Sequence, residues 1–167
     1  MLSLLKARKI VDQAILRALE IDLNISVAVC DSTGRLIAFN QMDGSSGWDS
    51  DRCAMGKAVA AAIAGVPSDQ LAQHMHRFGM RSGSHANVVP PRNQRGGLPI
   101  IENGIVQGGC GVSGGATADQ DEECAMAGIA VLSESRTEPT TFLANRFRTA
   151  TRQKHKRGPD LQSAGKP

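Results

Sequence analysis

The stretch GGLPIIENGIVQGGCGVSGG, which runs from residue 96 to residue 115, decides the fold of this chain. Its central dipeptide, Asn103-Gly104, is a strong signal for a two-residue hairpin turn, because both residues tolerate a positive φ. Apolar runs at 98–101 and 105–106 flank the dipeptide and predict two antiparallel strands. The second strand continues into residues 108–115, where the glycines are dense enough to predict a close approach of the backbone to a ligand or to another chain.

The rest of the chain supplies helices and a second hairpin. Apolar residues at helical spacing predict an amphipathic helix over residues 3–21. Alternating residues at 25–30 and 35–40 flank the turn Asp31-Ser-Thr-Gly34 and predict two more strands. Helices are expected over 49–63 and 119–132, and a short strand over 87–89. The order of these elements predicts an α+β fold, with a five-stranded antiparallel sheet flanked by helices.

The composition indicates one domain followed by a basic extension. A chain of 167 residues that is 41% hydrophobic can bury a core of its own. We assign residues 1–133 to a single domain and residues 134–167 to an extension with eight Lys or Arg against three Asp or Glu. The extension is polar, so we expect it to be partly disordered or to clasp a partner, and nucleic-acid binding is the alternative. One Trp, four Phe and no Tyr argue against nucleic-acid recognition in the chain as a whole.

The N-terminus and the cysteines point to the same compartment. The first residues, MLSLLKARK, become charged after five positions and predict neither a signal peptide nor a membrane span. The four cysteines, at 30, 53, 110 and 124, show neither paired nor zinc-like spacing. We therefore expect a cytoplasmic protein with reduced thiols and no metal site.

Two generic motifs overlap in the glycine stretch. Residues 109–114 match G-x-G-x-x-G, but a dinucleotide site needs a parallel βαβ unit, and this strand belongs to a hairpin. Residues 111–115 match the G-x-S-x-G elbow, but the only histidine downstream is His155 in the extension. We interpret both matches as coincidental.

A series of motifs resembles the GlcG/HbpS family over roughly residues 5–133. They occur in the order and spacing of that family: Val29-Cys-Asp31-Ser-Thr-Gly34, Met42-Asp43-Gly44, Lys57-Ala58, Gly96-Gly97-Leu-Pro99-Ile, Gly108-Gly-Cys-Gly111-Val-Ser113-Gly114-Gly115 and Asp119. The resemblance implies a profilin-like fold and a homo-oligomer between a dimer and an octamer. Its members include haem-binding and corrinoid-associated proteins, so haem is a possible cofactor. Haem-binding relatives carry an axial histidine on the first helix, whereas residues 1–24 here contain none.

Two functional hypotheses follow, and both place the site between the loop of residues 77–95 and the turn of residues 108–115. The first is a protein that binds haem, another tetrapyrrole or another anionic ligand. Its ligand-binding candidates are Gly96, Gly97, Gly111, Ser113, Gly114, Arg81 and His76. The alternative is a cofactor-free acid/base enzyme, an isomerase, ring-opening lyase or hydrolase, that acts on a small catabolic substrate. Its catalytic candidates are His85, Asp43, Lys57, Cys110 and Asp119.

Chemical reasons support several of these candidates, and Cys110 and Asp119 also have a structural alternative. His85 lies in a Gly/Ser loop, and Lys57 lies among small apolar residues, where its charge needs a partner or a ligand anion. Backbone amides near Cys110 would lower the pKa of its thiol, but packing explains this cysteine equally well. Asp119 also suits the cap of the last helix. His74 and His76 are two residues apart, so they face different sides of a helix and do not form a metal site there.

Small-residue surfaces predict where subunits meet. The helix around residues 54–62 and the turn of residues 108–115 both allow another backbone to come close. We therefore expect them at a contact between two copies of the chain.

Overall fold

A computed structural model describes residues 1–45, 47–71 and 94–134 of the chain. The predictions for His76, Arg81, His85, the strand at 87–89 and the extension lie outside these residues. Met1–Glu134 forms one compact unit. Within the described ranges, no helix has the length and apolar character needed to cross a membrane.

The unit alternates helices and hairpins in the predicted order. Its elements are α1 (Leu4–Glu20), β1 (Ser26–Asp31), β2 (Leu36–Gln41), α2 (Ser50–Ala64), a 3₁₀ turn (Ser68–Gln70), β3 (Gly97–Glu102), β4 (Ile105–Ser113) and α3 (Ala118–Glu134). Asn103 and Gly104 have φ values of 52° and 75°, as the predicted hairpin turn requires. The α+β class is therefore confirmed.

The strands form one antiparallel sheet in the order β2-β1-β4-β3. This part of the chain contains four strands, so the predicted number of five is wrong for it. The strand expected at 87–89 belongs to the part that is not described.

Helices cover both faces of the sheet because β1 is apolar on both sides. Val27 and Val29 pack into the cluster formed with α1 and α3, whereas Ala28 and Cys30 pack against α2. The sheet is therefore the middle layer of three.

The glycines of β4 are explained by α2. A Cβ atom at Gly111 would overlap the carbonyl oxygen of Ala54, and one at Gly109 would overlap that of Ala58. The predicted close approach is thus made by a helix of the same chain. The expected subunit contact through this surface is wrong, since the small residues of α2 are buried against β4.

One end of the sheet brings together the strand ends and helix N-termini that form the candidate site. Ser26 at the start of β1 pairs with Gln41 at the end of β2 and with Ser113 at the end of β4. β3 starts at the same end, where Gly97 pairs with Gly111. The first turns of α2 and α3 also lie here, as their side-chain contacts show below. We call this the site end, and we call the opposite end, with the two hairpin turns, the turn end.

Candidate functional site

A buried ion pair lies at the site end. Lys57 extends from α2 past the end of β4 and is 3% exposed. Its Nζ atom donates a hydrogen bond to the carbonyl oxygen of Val112 at 2.9 Å and another to Asp121 Oδ2 at 2.8 Å. Lys57 was expected to need a partner or a ligand anion, and Asp121 is a partner within the chain.

Asp121 also holds the turn that precedes α3. Its second oxygen, Oδ1, accepts a hydrogen bond from the backbone N–H of Gly115 at 2.8 Å. Because both oxygens of the carboxylate are engaged, the pair is well satisfied despite its burial. The sequence analysis did not select Asp121. It lies four residues before the buried Ala125, which places it on the inner side of α3 and was the available signal.

Gly96 leaves the space in which this pair forms. A Cβ atom at Gly96 would lie 2.7 Å from the Cβ of Asp121 and 3.1 Å from Nζ of Lys57. Gly96 also has a φ of 105°, which a residue with a side chain rarely adopts. A Cβ at Gly97 would overlap the carbonyl oxygen of Lys57. These two predicted ligand-binding glycines therefore pack against the ion pair and α2.

An exposed cluster of charges surrounds Arg95 at the same end. The guanidinium is paired with Asp119, lies 3.1 Å from Glu122 Oε2 through Nε, and lies 3.6 Å from Asp69 Oδ2. Asp119, a predicted catalytic residue, is thus part of an ion pair with Arg95. The cap of α3 is made instead by Thr117 and Gln120, which exchange hydrogen bonds of 3.1 and 3.3 Å.

Three serine hydroxyls meet where α2 begins. Ser26 Oγ lies 3.0 Å from Ser50 Oγ, and Ser45 Oγ lies within 3.5 Å of both. Gln41 donates a hydrogen bond to Ser45 at 3.0 Å. Asp43 is exposed in the adjoining turn after β2. The structure therefore brings Asp43 to the same end of the sheet as Lys57, and it shows no contact between the two.

The remaining predicted ligand-binding residues, Ser113 and Gly114, are the last residue of β4 and the one that follows it. Ser113 is half-buried, and Gly114 has a φ of 115°. A Cβ atom at Gly114 would lie 2.8 Å from the carbonyl oxygen of Asn24. Gly114 is therefore required by the backbone of the turn.

Cys110 points into the core and not into the site. Burial raises the pKa of its thiol to about 12, and burial likewise raises the pKa of Cys30 to about 12 and that of Cys124 to about 11. A nucleophilic cysteine needs the opposite shift. The hypothesis that backbone amides lower the pKa of Cys110 is therefore wrong.

Asp31 closes a turn at the opposite end of the sheet. Its Oδ1 accepts hydrogen bonds from Thr33 N at 2.8 Å, Thr33 Oγ1 at 2.7 Å and Arg35 N at 3.0 Å. Desolvation raises the pKa of Asp31, but these hydrogen bonds together outweigh it, and the net pKa is lowered. These contacts match the turn predicted at Asp31-Ser-Thr-Gly34.

These features define a class of protein, a small three-layer α+β domain with polar groups at one end of an antiparallel sheet. The family model described as "Haem degrading protein HbpS-like" matches residues 2–130, and the chain belongs to this HbpS-like family. No curated protein matches it significantly in sequence.

Solved structures agree with this assignment. A double mutant of HbpS from Streptomyces reticuli is 30% identical, with a TM-score of 0.68 over 78% of this chain and 86% of that one. The protein ORFY from Klebsiella pneumoniae is 25% identical, with a TM-score of 0.66 over 79% and 90% of the two chains. PduOC, solved as a complex with haem, is 25% identical, with a TM-score of 0.64 over 77% and 93%. Together, the family and these neighbours support a small-molecule-binding protein.

Proposed function

We propose that this protein binds an anionic small molecule at the site end, and that the ligand is haem or a related tetrapyrrole. The observation that carries the proposal is the similarity to PduOC, whose structure is a complex with haem and which aligns over 93% of its length. Membership of the HbpS-like family supports the same ligand class.

The charges at the site end suit carboxylate groups. Arg95 already forms an ion pair with the exposed carboxylate of Asp119. Its guanidinium could therefore donate the same hydrogen bonds to a carboxylate of the ligand in place of Asp119. Two helices, α2 and α3, direct their N-termini to this end, where the helix dipole favours negative charge. Carboxylate side chains on a flat macrocycle would meet both features.

The described residues do not provide a histidine ligand for haem iron. They contain no histidine, since the four histidines of the chain are at 74, 76, 85 and 155. The thiols of Cys30, Cys110 and Cys124 are buried, with a raised pKa that disfavours a thiolate ligand. Any histidine ligand to the iron therefore comes from outside the described residues, and our candidates are His74, His76 and His85.

Titration with haemin tests the proposal. We expect a sharp shift of the Soret band that saturates at a fixed stoichiometry in the full-length protein. His85→Ala or His76→Ala should change the position of the band, whereas His155→Ala should not. Arg95→Gln should weaken binding of both haemin and metal-free protoporphyrin. A Soret band identical to that of haemin in buffer would refute the proposed ligand.

The alternative function, a cofactor-free acid/base enzyme, has one specific observation in its favour. Lys57 and Asp121 form a buried charged pair at the site end, and such a pair is a poor source of net stability compared with apolar residues of the same volume. A role in the site would explain why a charged pair is present at this buried position. Assaying turnover of small carboxylic acids by the parent, Asp43→Asn and His85→Ala proteins tests this function. Equal turnover in all three would exclude these two residues.

A further inference from the structure

In the part of the chain that the structure describes, the outer side of β2 is an edge of the sheet. The strand pairs with β1 on one side, and no other strand of the described ranges pairs with its other side. Its sequence, LIAFNQ, contains neither a charged residue nor a proline. An edge of this kind presents unpaired N–H and C=O groups to any strand that approaches.

The other edge of the sheet formed by the described residues, β3, is protected in two ways. It contains Pro99, which has no N–H group to offer a further strand. It also ends in Glu102, which forms an ion pair of 2.5 Å with Lys6 of α1. The two edges of the described sheet therefore differ in the features that prevent pairing: β3 has a proline and a charged residue, and β2 has neither.

An apolar helix flank continues this edge. Val59 and Ile63 of α2 lie over the turn that leads into β2, because a Cβ atom at Gly34 would be 3.3 Å from the first and 3.9 Å from the second. Met55 and Phe39 each pack against the buried cluster that α2 forms with Ala28 and Cys30 of β1, and both are only partly buried. Leu36 is 51% exposed, and Trp48, just before α2, is 93% exposed. We call Leu36, Phe39, Met55, Ile63 and Trp48 the β2 flank.

We propose that the β2 edge pairs with β2 of a second copy of this chain, in antiparallel orientation about a twofold axis. An uncharged strand meets no like charge when it pairs with itself, and a twofold axis brings the same surface of both copies together. The β2 flank of each copy then covers that of the other. This inference is independent of the proposed ligand, and it replaces the glycine surface as the subunit contact.

Matched substitutions on the two edges test the proposal. Leu36 on β2 and Ile101 on β3 are both 51% exposed, so Leu36→Lys and Ile101→Lys add the same charge at equal exposure. Light scattering on the full chain at micromolar concentration should show a dimer or a multiple of it. Leu36→Lys should halve that mass or raise the dissociation constant at least about tenfold. Ile101→Lys should leave both unchanged, and circular dichroism should show both variants folded.

Hydrogen exchange separates a second copy from cover by the chain itself. Amides of β2 should be protected at high protein concentration and lose protection on dilution, in step with the mass. The fluorescence of Trp48, the only tryptophan, should shift to longer wavelength on the same dilution. A monomeric parent, a mass insensitive to Leu36→Lys, or protection that does not depend on concentration would overturn the proposal.

Discussion

Nζ of Lys57 lies 2.8 Å from Oδ2 of Asp121, and this contact joins the two helical layers around the end of the sheet. Lys57 comes from α2 on one face, and Asp121 comes from α3 on the other face. Both side chains are buried, so neither charge can turn to water if the other is removed. The pair therefore acts as an internal clamp at the site end.

Removing one member of the clamp should be costly. We expect Asp121→Ala to lower the free energy of unfolding by about 3–5 kcal/mol, because it leaves the Lys57 ammonium buried and unpaired. Urea unfolding followed by circular dichroism measures the loss. Asp119→Ala is the matched control, since it removes an exposed partner of Arg95 and should cost less than about 1 kcal/mol.

The double variant separates charge from packing. Lys57→Met with Asp121→Leu removes both charges and should be clearly more stable than Asp121→Ala alone. If the loss of unfolding free energy in the double variant equalled the sum of the losses in the two single variants, the contribution of the pair would come from packing and not from charge compensation.

Gly111 should not tolerate even a methyl group. A Cβ atom at this position would overlap the carbonyl oxygen of Ala54, and it would lie 3.1 Å from the Cα of Ala58. Gly111→Ala must therefore push α2 away from β4, and we expect it to lower the stability by about 2–3 kcal/mol or more. Thermal and urea unfolding give the value.

Gly104 offers a control for Gly111. It has a φ of 75°, and nothing lies within 4 Å of a Cβ added to it. Gly104→Asn keeps a residue type that tolerates this conformation, so we expect a loss below about 1 kcal/mol. Equal losses of stability in Gly111→Ala and Gly104→Asn would contradict the close packing of α2 against the glycines of β4.

Local sequence patterns predicted the elements of this fold well. The dipeptide Asn103-Gly104 and the turn from Asp31 to Gly34 each fix a hairpin through residues that are adjacent in the chain. The amphipathic helix predicted over 3–21 is observed as Leu4–Glu20. Signals of this kind are complete within a few residues, so no knowledge of distant packing is needed.

Partners across the fold were not predictable in the same way. The glycines of β4 predicted that another backbone comes close to this strand. A missing side chain does not specify which part of the molecule occupies the space. Lys57 likewise required a counter-charge, and its partner is 64 residues away. Asp119 and Asp121 both lie in the first turn of α3, where Asp121 is buried and Asp119 is exposed.

The Asp31 turn should give the stability a dependence on acid pH. The folded-state pKa of Asp31 is lowered, so the folded state binds a proton less readily than the unfolded chain. Its contribution is therefore fully present above the ordinary pKa of about 3.9 and is lost as the pH falls through the folded-state pKa. We expect Asp31→Asn to be less stable than the parent at pH 7, with a difference that shrinks below about pH 4.

Urea unfolding between pH 3 and pH 7 checks this dependence. Asp12→Asn, on the exposed side of α1, is the control for removing one carboxylate from the surface. A gap between the parent and Asp31→Asn that stays constant over the whole range would show that the hydrogen bonds to Thr33 and Arg35 do not favour the ionised carboxylate.

The buried thiols should be unreactive in the folded protein. Burial raises the pKa of Cys110 to about 12, so almost none of it is thiolate at pH 8, and no solvent path leads to a residue with 0% exposure. We expect a thiol reagent such as Ellman's reagent to label the native chain slowly, at the rate of unfolding, and to label four cysteines per chain in urea. Cys110→Ser should leave ligand binding unchanged, because the side chain lies in the core beside Val112 and Cys124 and not at the site end. Rapid labelling of Cys110 in the native protein, or loss of binding in a folded Cys110→Ser variant, would instead indicate a functional role for this cysteine.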